Sequence, residues 1–309
     1  MTKICLFTDV LQLKRKFEPK AQRMKTFFLL PVTAVFFVLA VALVLNSSSE
    51  EESRGLLSWD SRVFMKENRE ELFSCMEERR LNVLYQSVPD DMEQELVRDF
   101  LAEAADREIQ VWMLTGDPSW VLDPSGERMK EEICRATSIN AELHEKAQIT
   151  GILMDCEPYL LEDWEADPVA TMGKWQSAMD EAHDFAREKG ILFGICIPYY
   201  LDTEEFPEGV ERLINETCDA VFIMNYYKQN EAENIRTEVE CARAAGIPVT
   251  VIYELQPPGI HGLVEENTYY HDGLEKVEES FLTIRRTLGA EDLYIALHEY
   301  GTLRELLRG

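Results

Sequence analysis

Eight short apolar runs, separated by charged stretches of helical period, fill the chain from residue 55 to the C-terminus. The runs are 55–59 (GLLSW), 82–88 (NVLYQSV), 109–116 (IQVWMLTG), 150–156 (TGILMDC), 191–199 (ILFGICIPY), 220–227 (AVFIMNYY), 248–255 (PVTVIYEL) and 293–300 (LYIALHEY). Their length and composition predict strands. Stretches such as RVFMKENREELFSCMEERR (62–80) and TMGKWQSAMDEAHDFAREKG (171–190) repeat apolar residues at helical spacing. Gly190 and Gly289 stand where helices need a left-handed cap. Strand–helix alternation means a parallel sheet, because parallel neighbours need a crossover. Eight units in ~255 residues is the size of a single (β/α)8 TIM barrel. An open doubly wound sheet is the competing arrangement. No glycine-rich phosphate loop follows the first strand, which argues against a nucleotide-binding version.

The segment before the barrel is of another kind. Residues 1–25 hold seven Lys or Arg and two acids, and residues 26–45 hold no charge at all. Twenty apolar residues at ~1.5 Å rise span the ~30 Å of a bilayer core. A transmembrane helix at 26–45 is expected, with the basic head 1–25 in the cytoplasm and the barrel, 55–309, outside. The segment is read as a signal anchor, or as a signal peptide removed on export. Residues 46–54, NSSSEEESR, read as a linker. The formal net charge is −27. Because the head is basic, the remainder is still more acidic, and a nucleic-acid partner is excluded. Six cysteines follow the apolar segment (Cys75, Cys134, Cys156, Cys196, Cys218, Cys241) with no CxxC among them. Disulfides are permitted outside the cell, but buried free thiols are the expectation for most. Histidines number five, and none pairs at ligand spacing, so neither a metal nor an organic cofactor is implied.

Chemistry in such a barrel sits at the C-terminal strand ends. Those ends carry Trp59; Tyr85; Trp112, with Trp120 in the loop after it; Asp155 and Glu157; Tyr199; Asn225, Tyr226 and Tyr227; Glu254; and His298 with Glu299. Aromatics around carboxylates suit sugars, which offer apolar C–H faces and many hydroxyls. Strand side chains alternate, so Leu153, Asp155 and Glu157 share one face while Met154 and Cys156 take the other. If Leu153 faces the axis, both acids rise into the mouth. Two acids that close repel, and one is driven toward its protonated form. A neutral carboxylic acid beside an ionised one is the equipment for protonating a glycosidic oxygen.

TGILMDCEPY (150–159) resembles the fourth-strand motif of glycoside hydrolase family 18, the chitinase-like barrels, whose pattern is Asp-x-x-Asp-x-Asp-x-Glu. Asp155 and Glu157 match its last two acids; Thr150 and Leu153 replace the first two. MNYY matches that family's Met-x-Tyr-Asp at Met224 and Tyr226, with Tyr227 in place of Asp. The resemblance implies Glu157 as general acid, with Asp155 and Tyr226 steadying a substrate N-acetyl group that acts as the nucleophile. The chain also resembles the retaining (β/α)8 glycosidases, which place an acid/base Glu after strand four, often in Asn-Glu-Pro, and a nucleophile Glu after strand seven. Cys156-Glu157-Pro158 and VIYE, ending at Glu254, fit those positions without the Asn.

The sequence thus leads to an exported, glycosidase-like barrel acting on a glycan, held to the membrane by its N-terminal helix or secreted. Glu157, Asp155, Glu254 and Tyr226 are its candidate catalytic residues. Trp59, Tyr85, Trp112, Trp120, Tyr199, Asn225, Tyr227, His298 and Glu299 are its candidate substrate contacts. A degenerate barrel that binds a glycan without cutting it is the alternative. A metal-dependent hydrolase using Asp60, His298 and Glu299 is a third reading.

Overall fold

The computed structural model describes residues 53–202 and 206–308. Eight parallel strands close into a barrel in sequence order. They are β1 (Arg54–Ser58), β2 (Val83–Ser87), β3 (Gln110–Thr115), β4 (Gly151–Met154), β5 (Leu192–Pro198), β6 (Ala220–Met224), β7 (Val249–Glu254) and β8 (Leu293–His298). β8 pairs back onto β1 through Gly55 and Ala296. Every apolar run is a strand. Several strands stop short of the predicted C-terminal ends: β4 ends at Met154, before Asp155, and β6 at Met224, before Asn225. β1 starts at Arg54, one residue inside the expected linker. The basic head, the apolar segment 26–45 and the linker up to residue 52 lie outside the described residues. Among the described residues no helix is long and apolar enough to cross a membrane.

Helices cover the outside: α1 (Lys66–Glu78), α2 (Gln94–Asp106), α3 (Glu127–Asn140), α4 (Glu162–Ala166), α5 (Pro168–Lys189), α6 (Pro207–Glu216), α7 (Glu231–Asn234), α8 (Arg236–Ala245), α9 (Leu274–Leu288) and α10 (Tyr300–Arg308). The ends of α5 show why they fall where they do. The Asp167 carboxylate accepts the Ala170 N–H at 3.0 Å, and Pro168 opens the first turn. Gly190, at φ 73°, closes it.

The strand alternation separates two apolar clusters. Leu56, Leu84, Met113, Ile152, Met154, Ile195 and Ile223 face the helices. Leu57, Tyr85, Trp112, Leu153, Cys196, Phe222, Ile252 and Ala296 face the axis. Three rings fill that interior, Tyr85 to Trp112 at 6.2 Å, Tyr85 to Phe222 at 5.0 Å and Trp112 to Phe222 at 6.0 Å between centroids. The Tyr85 hydroxyl reaches across to Thr250. Three strand glycines make the room. A Cβ on Gly55 would sit 2.4 Å from the Tyr85 ring, on Gly151 2.5 Å from Trp112 and on Gly194 2.7 Å from Phe222. Tyr85 and Trp112, expected as sugar contacts, are therefore packed inside the barrel, 3% and 8% exposed. Both point inward, lie below the strand ends and form the floor under the mouth. All six described cysteines are free thiols, four of them buried.

Gly151→Ala should destabilise the fold by roughly 1–3 kcal/mol, the usual cost of overpacking. Urea unfolding checks this, and adding Trp112→Leu should recover part of the loss; full stability in the single variant would contradict the account of the floor.

Candidate active site

Leu153 is fully buried in the axial cluster, and Met154 and Cys156 are buried in the outer one. Asp155 and Glu157 therefore continue the inward column of β4 above Leu153, as the alternation requires. The Asp155 N–H donates to the Thr115 carbonyl at 2.8 Å, extending the β3–β4 ladder past the strand end. Gly116 permits that approach, since a Cβ there would meet the Asp155 carbonyl oxygen at 2.1 Å. Pro158 then starts a short turn that carries Glu157 upward. The Tyr159 hydroxyl donates to Glu157 Oε2 at 2.6 Å.

Asp155 is the strained member of the pair. Its Oδ1 is buried without a hydrogen-bond partner. Burial first, and then the charge of Glu157, raise its pKa from 3.8 to about 7. The charge of His298 and a hydrogen bond with the Cys196 thiol oppose that rise. The Cys196 contact follows from register: Leu153 lies opposite Gly194 on β5, so Asp155 comes level with Cys196.

Tyr226 also packs on the axial cluster. Burial first, and then the charges of Glu254, Asp155 and Glu157, hold its hydroxyl well above the usual tyrosine range, so it stays a neutral donor. Its neighbours turn elsewhere. Asn225, expected in the mouth, points to the helix side and donates to the Glu231 carbonyl at 3.1 Å. It anchors the loop that leads to α7. Tyr227 stacks on Tyr199 at 6.1 Å and 6°.

Glu254 and His298 are opposite residues in the β7–β8 register. Glu254 is 3% exposed. Its Oε1 accepts the Gln256 N–H at 2.7 Å and its Oε2 lies 2.9 Å from His298 Nδ1. Glu254, a catalytic candidate from the sequence, is thus held at both oxygens and deeply covered. Glu299 is likewise committed. It accepts the Gly301 N–H at 2.8 Å and the Thr302 N–H at 2.9 Å, capping α10 rather than facing a ligand. Asp60 is held by Arg62. Among the described residues no three His, Cys, Asp or Glu side chains are grouped to hold a metal ion.

Trp59 is 42% exposed at the end of β1. Trp120 packs on the outer cluster with the Arg128 guanidinium 5.3 Å from its ring, so it faces the helix layer. The aromatic concentration lies instead on the β4–β6 side. From Tyr227 and Tyr199, ring contacts run to Tyr200 (5.4 Å), Tyr159 (5.9 Å), Trp164 (6.4 Å) and Phe206 (5.4 Å). Tyr159, Trp164, Phe206 and Cys196 are absent from the sequence-based site. Tyr159 had a signal, two residues after Glu157 on the same alternation. Trp164 lies in α4, a helix of five residues, and Phe206 just before α6, and both stretches are too short to write a period.

Asp155→Asn should stabilise the fold at pH 8 and not at pH 4. The folded state holds a proton on Asp155 between pH ~4 and ~7 that the unfolded state has released, so wild-type stability falls as pH rises through that window. The amide removes the penalty, on the order of 1–3 kcal/mol. Thermal melts at both pH values check this, and equal Tm values at pH 8 would contradict it.

No protein-family model matches the chain, and no curated protein matches it in sequence. Solved structures do match. A chitinase from Bacteroides thetaiotaomicron aligns at 12% identity and TM-score 0.53 over 80% of this chain and 89% of that one. An intracellular xylanase from Thermoanaerobacterium saccharolyticum aligns at 10% identity and TM-score 0.51 over 80% and 86%. An endo-alpha-mannosidase from Bacteroides thetaiotaomicron aligns at 14% identity and TM-score 0.50 over 78% and 66%. At these identities the likeness is one of fold: the chain has the architecture of the glycoside-hydrolase TIM barrels, chitinase-like ones among them.

Proposed function

We propose that the protein is a glycoside hydrolase acting on an N-acetylated glycan, with Glu157 as the general acid. The observation that carries this reading is the inward column of Leu153, Asp155 and Glu157, with Tyr159 bonded to Glu157 and Tyr226 sharing its field. The Asp155–Glu157 pair holds one proton, and in the first step it sits on Glu157: Glu157 gives it to the glycosidic oxygen, the C1–O bond breaks, and Asp155 stands ionised beside it. The carbonyl oxygen of the substrate's acetamido group closes onto C1 and takes the place of an enzyme nucleophile. Asp155 accepts the acetamido N–H, and the Tyr226 hydroxyl donates to its carbonyl oxygen. Water then attacks C1, the C1–O bond to the acetamido oxygen breaks to free the acetamido group, and the proton lost by the water passes to Glu157. This route needs no second free carboxylate, which is consistent with Glu254 being bonded at both oxygens. The rings from Tyr227 to Trp164 offer apolar faces beside Glu157 for the sugar units.

A glycan-binding barrel without turnover is the second reading. It is favoured by Leu153, which puts a methyl-bearing side chain under Asp155 where the chitinase-like motif has an acid. For either reading we propose that residues 26–45 carry the barrel across the membrane; protease digestion of the barrel on intact cells tests this, and protection would oppose it.

Oligomers of N-acetylglucosamine should be cleaved by the wild-type chain, and Glu157→Gln should lower kcat by ~10²–10⁴-fold with KM little changed. Binding to both proteins with turnover by neither would leave the binding module. Equal turnover by both would remove Glu157 from the role.

A further inference from the structure

Glu254 and His298 were separate candidates in the sequence, and the barrel makes them one device. They are directly opposite in the parallel register, so both side chains point inward at the same height. The Glu254 oxygens are fixed by the Gln256 N–H and by His298 Nδ1. The carboxylate is 3% exposed and the imidazole 18%. A ring whose Nδ1 is committed to a buried carboxylate has only its opposite edge left for the mouth. That edge carries Nε2.

We propose that Glu254 is a positioning residue that fixes the His298 ring, and that His298 presents Nε2–H to the mouth as the counter-charge of Asp155. The groups that act on His298 are Glu254 from β7, Asp155 after β4, Glu299 beside it in the chain, and Tyr226 after β6 with its ring 6.1 Å away. Burial alone would keep the ring neutral. The hydrogen bond and charge of Glu254, with the charges of Asp155 and Glu299, outweigh it and favour the imidazolium. Asp155 in turn lies between two opposing influences, since Glu157 disfavours its ionised form and His298 favours it.

The consequence rests on the glycosidase reading. In substrate-assisted cleavage positive charge grows on the acetamido group as its oxygen closes onto C1. An ionised Asp155 offsets that charge; a protonated one does not. His298, held charged by Glu254, keeps the ionised form within reach although Glu157 stands beside it. Leu153 supplies no such help from below, so the task falls to β7 and β8.

The test is an NMR titration of the full chain carrying labelled His ring nitrogens and Asp carboxyl carbons, as wild type, Glu254→Gln and His298→Gln. Thermal melts establish that each variant is folded. The Glu254→Gln change should lower the His298 midpoint by about one pH unit or more. The His298→Gln change should raise the Asp155 midpoint. An unmoved His298 midpoint in the first variant, or an unmoved Asp155 midpoint in the second, overturns the proposal without reference to any glycan. Where turnover is measurable, both variants should move the acid limb of kcat/KM to higher pH. Loss of ~10⁴–10⁶-fold in folded Glu254→Gln would make Glu254 a nucleophile and also overturn it. Failure of the glycosidase reading alone would leave both midpoint shifts in place and abolish only the kinetic arm.

Discussion

A carboxyl group drawn into the neck of a barrel loses most of its water, and Asp155 shows what that costs. Its Oδ1 is buried without a partner, and Glu157 stands two residues above it on the same face. Burial and repulsion act in one direction, so the group resists ionisation. The cost is borne because the surrounding barrel fixes the position. The ladder bond to Thr115 and the close pass over Gly116 hold the Asp155 backbone. Leu153 below is locked in the axial cluster, which leaves the column no other direction. A second acid shows that burial alone does not make a site. Glu238 on α8 is fully buried with neither oxygen bonded, and burial, then Asp202, raises its pKa to about 8. It sits in the helix layer, away from the aromatic mouth. What separates the two is company, not titration.

The floor and the mouth depend on each other. Tyr85, Trp112 and Phe222 fill the axis because Gly55, Gly151 and Gly194 leave space beside them. Branched side chains fill most barrels of this type; here rings do, and they set the level at which polar side chains begin. Above that level sit Asp155, Glu157, Tyr226, and the Glu254–His298 pair. To one side stands the row of rings from Tyr227 to Phe206. The arrangement gives a sugar an apolar wall on one flank and hydrogen-bonding groups below.

The barrel was legible because burial on both faces writes long apolar runs, and amphipathic helices write a different period between them. The column of β4 was legible for the same reason: strand alternation fixes which residues share a face, whatever the fold around them. Height was harder. Nothing in the β2 and β3 runs says that Tyr85 and Trp112 lie one level too low to meet a ligand, since that is set by the barrel's stagger. The fate of polar groups was harder still. Asn225, Glu254 and Glu299 all stand at strand ends, yet each is used up by a backbone or side-chain partner that only the folded chain brings near. Trp164 and Phe206 were missed because the short connecting segments that carry them write no period.

The central claim is that the acids above Leu153 address a sugar linkage. A crystal structure of Glu157→Gln with a bound N-acetylglucosamine oligomer tests it most directly. The account predicts a glycosidic oxygen ~2.6–3.2 Å from the substituted amide at position 157, the acetamido group between Asp155 and Tyr226, and sugar faces on the rings beside them. An oligomer seated elsewhere on the barrel, with the mouth holding only water, would contradict it.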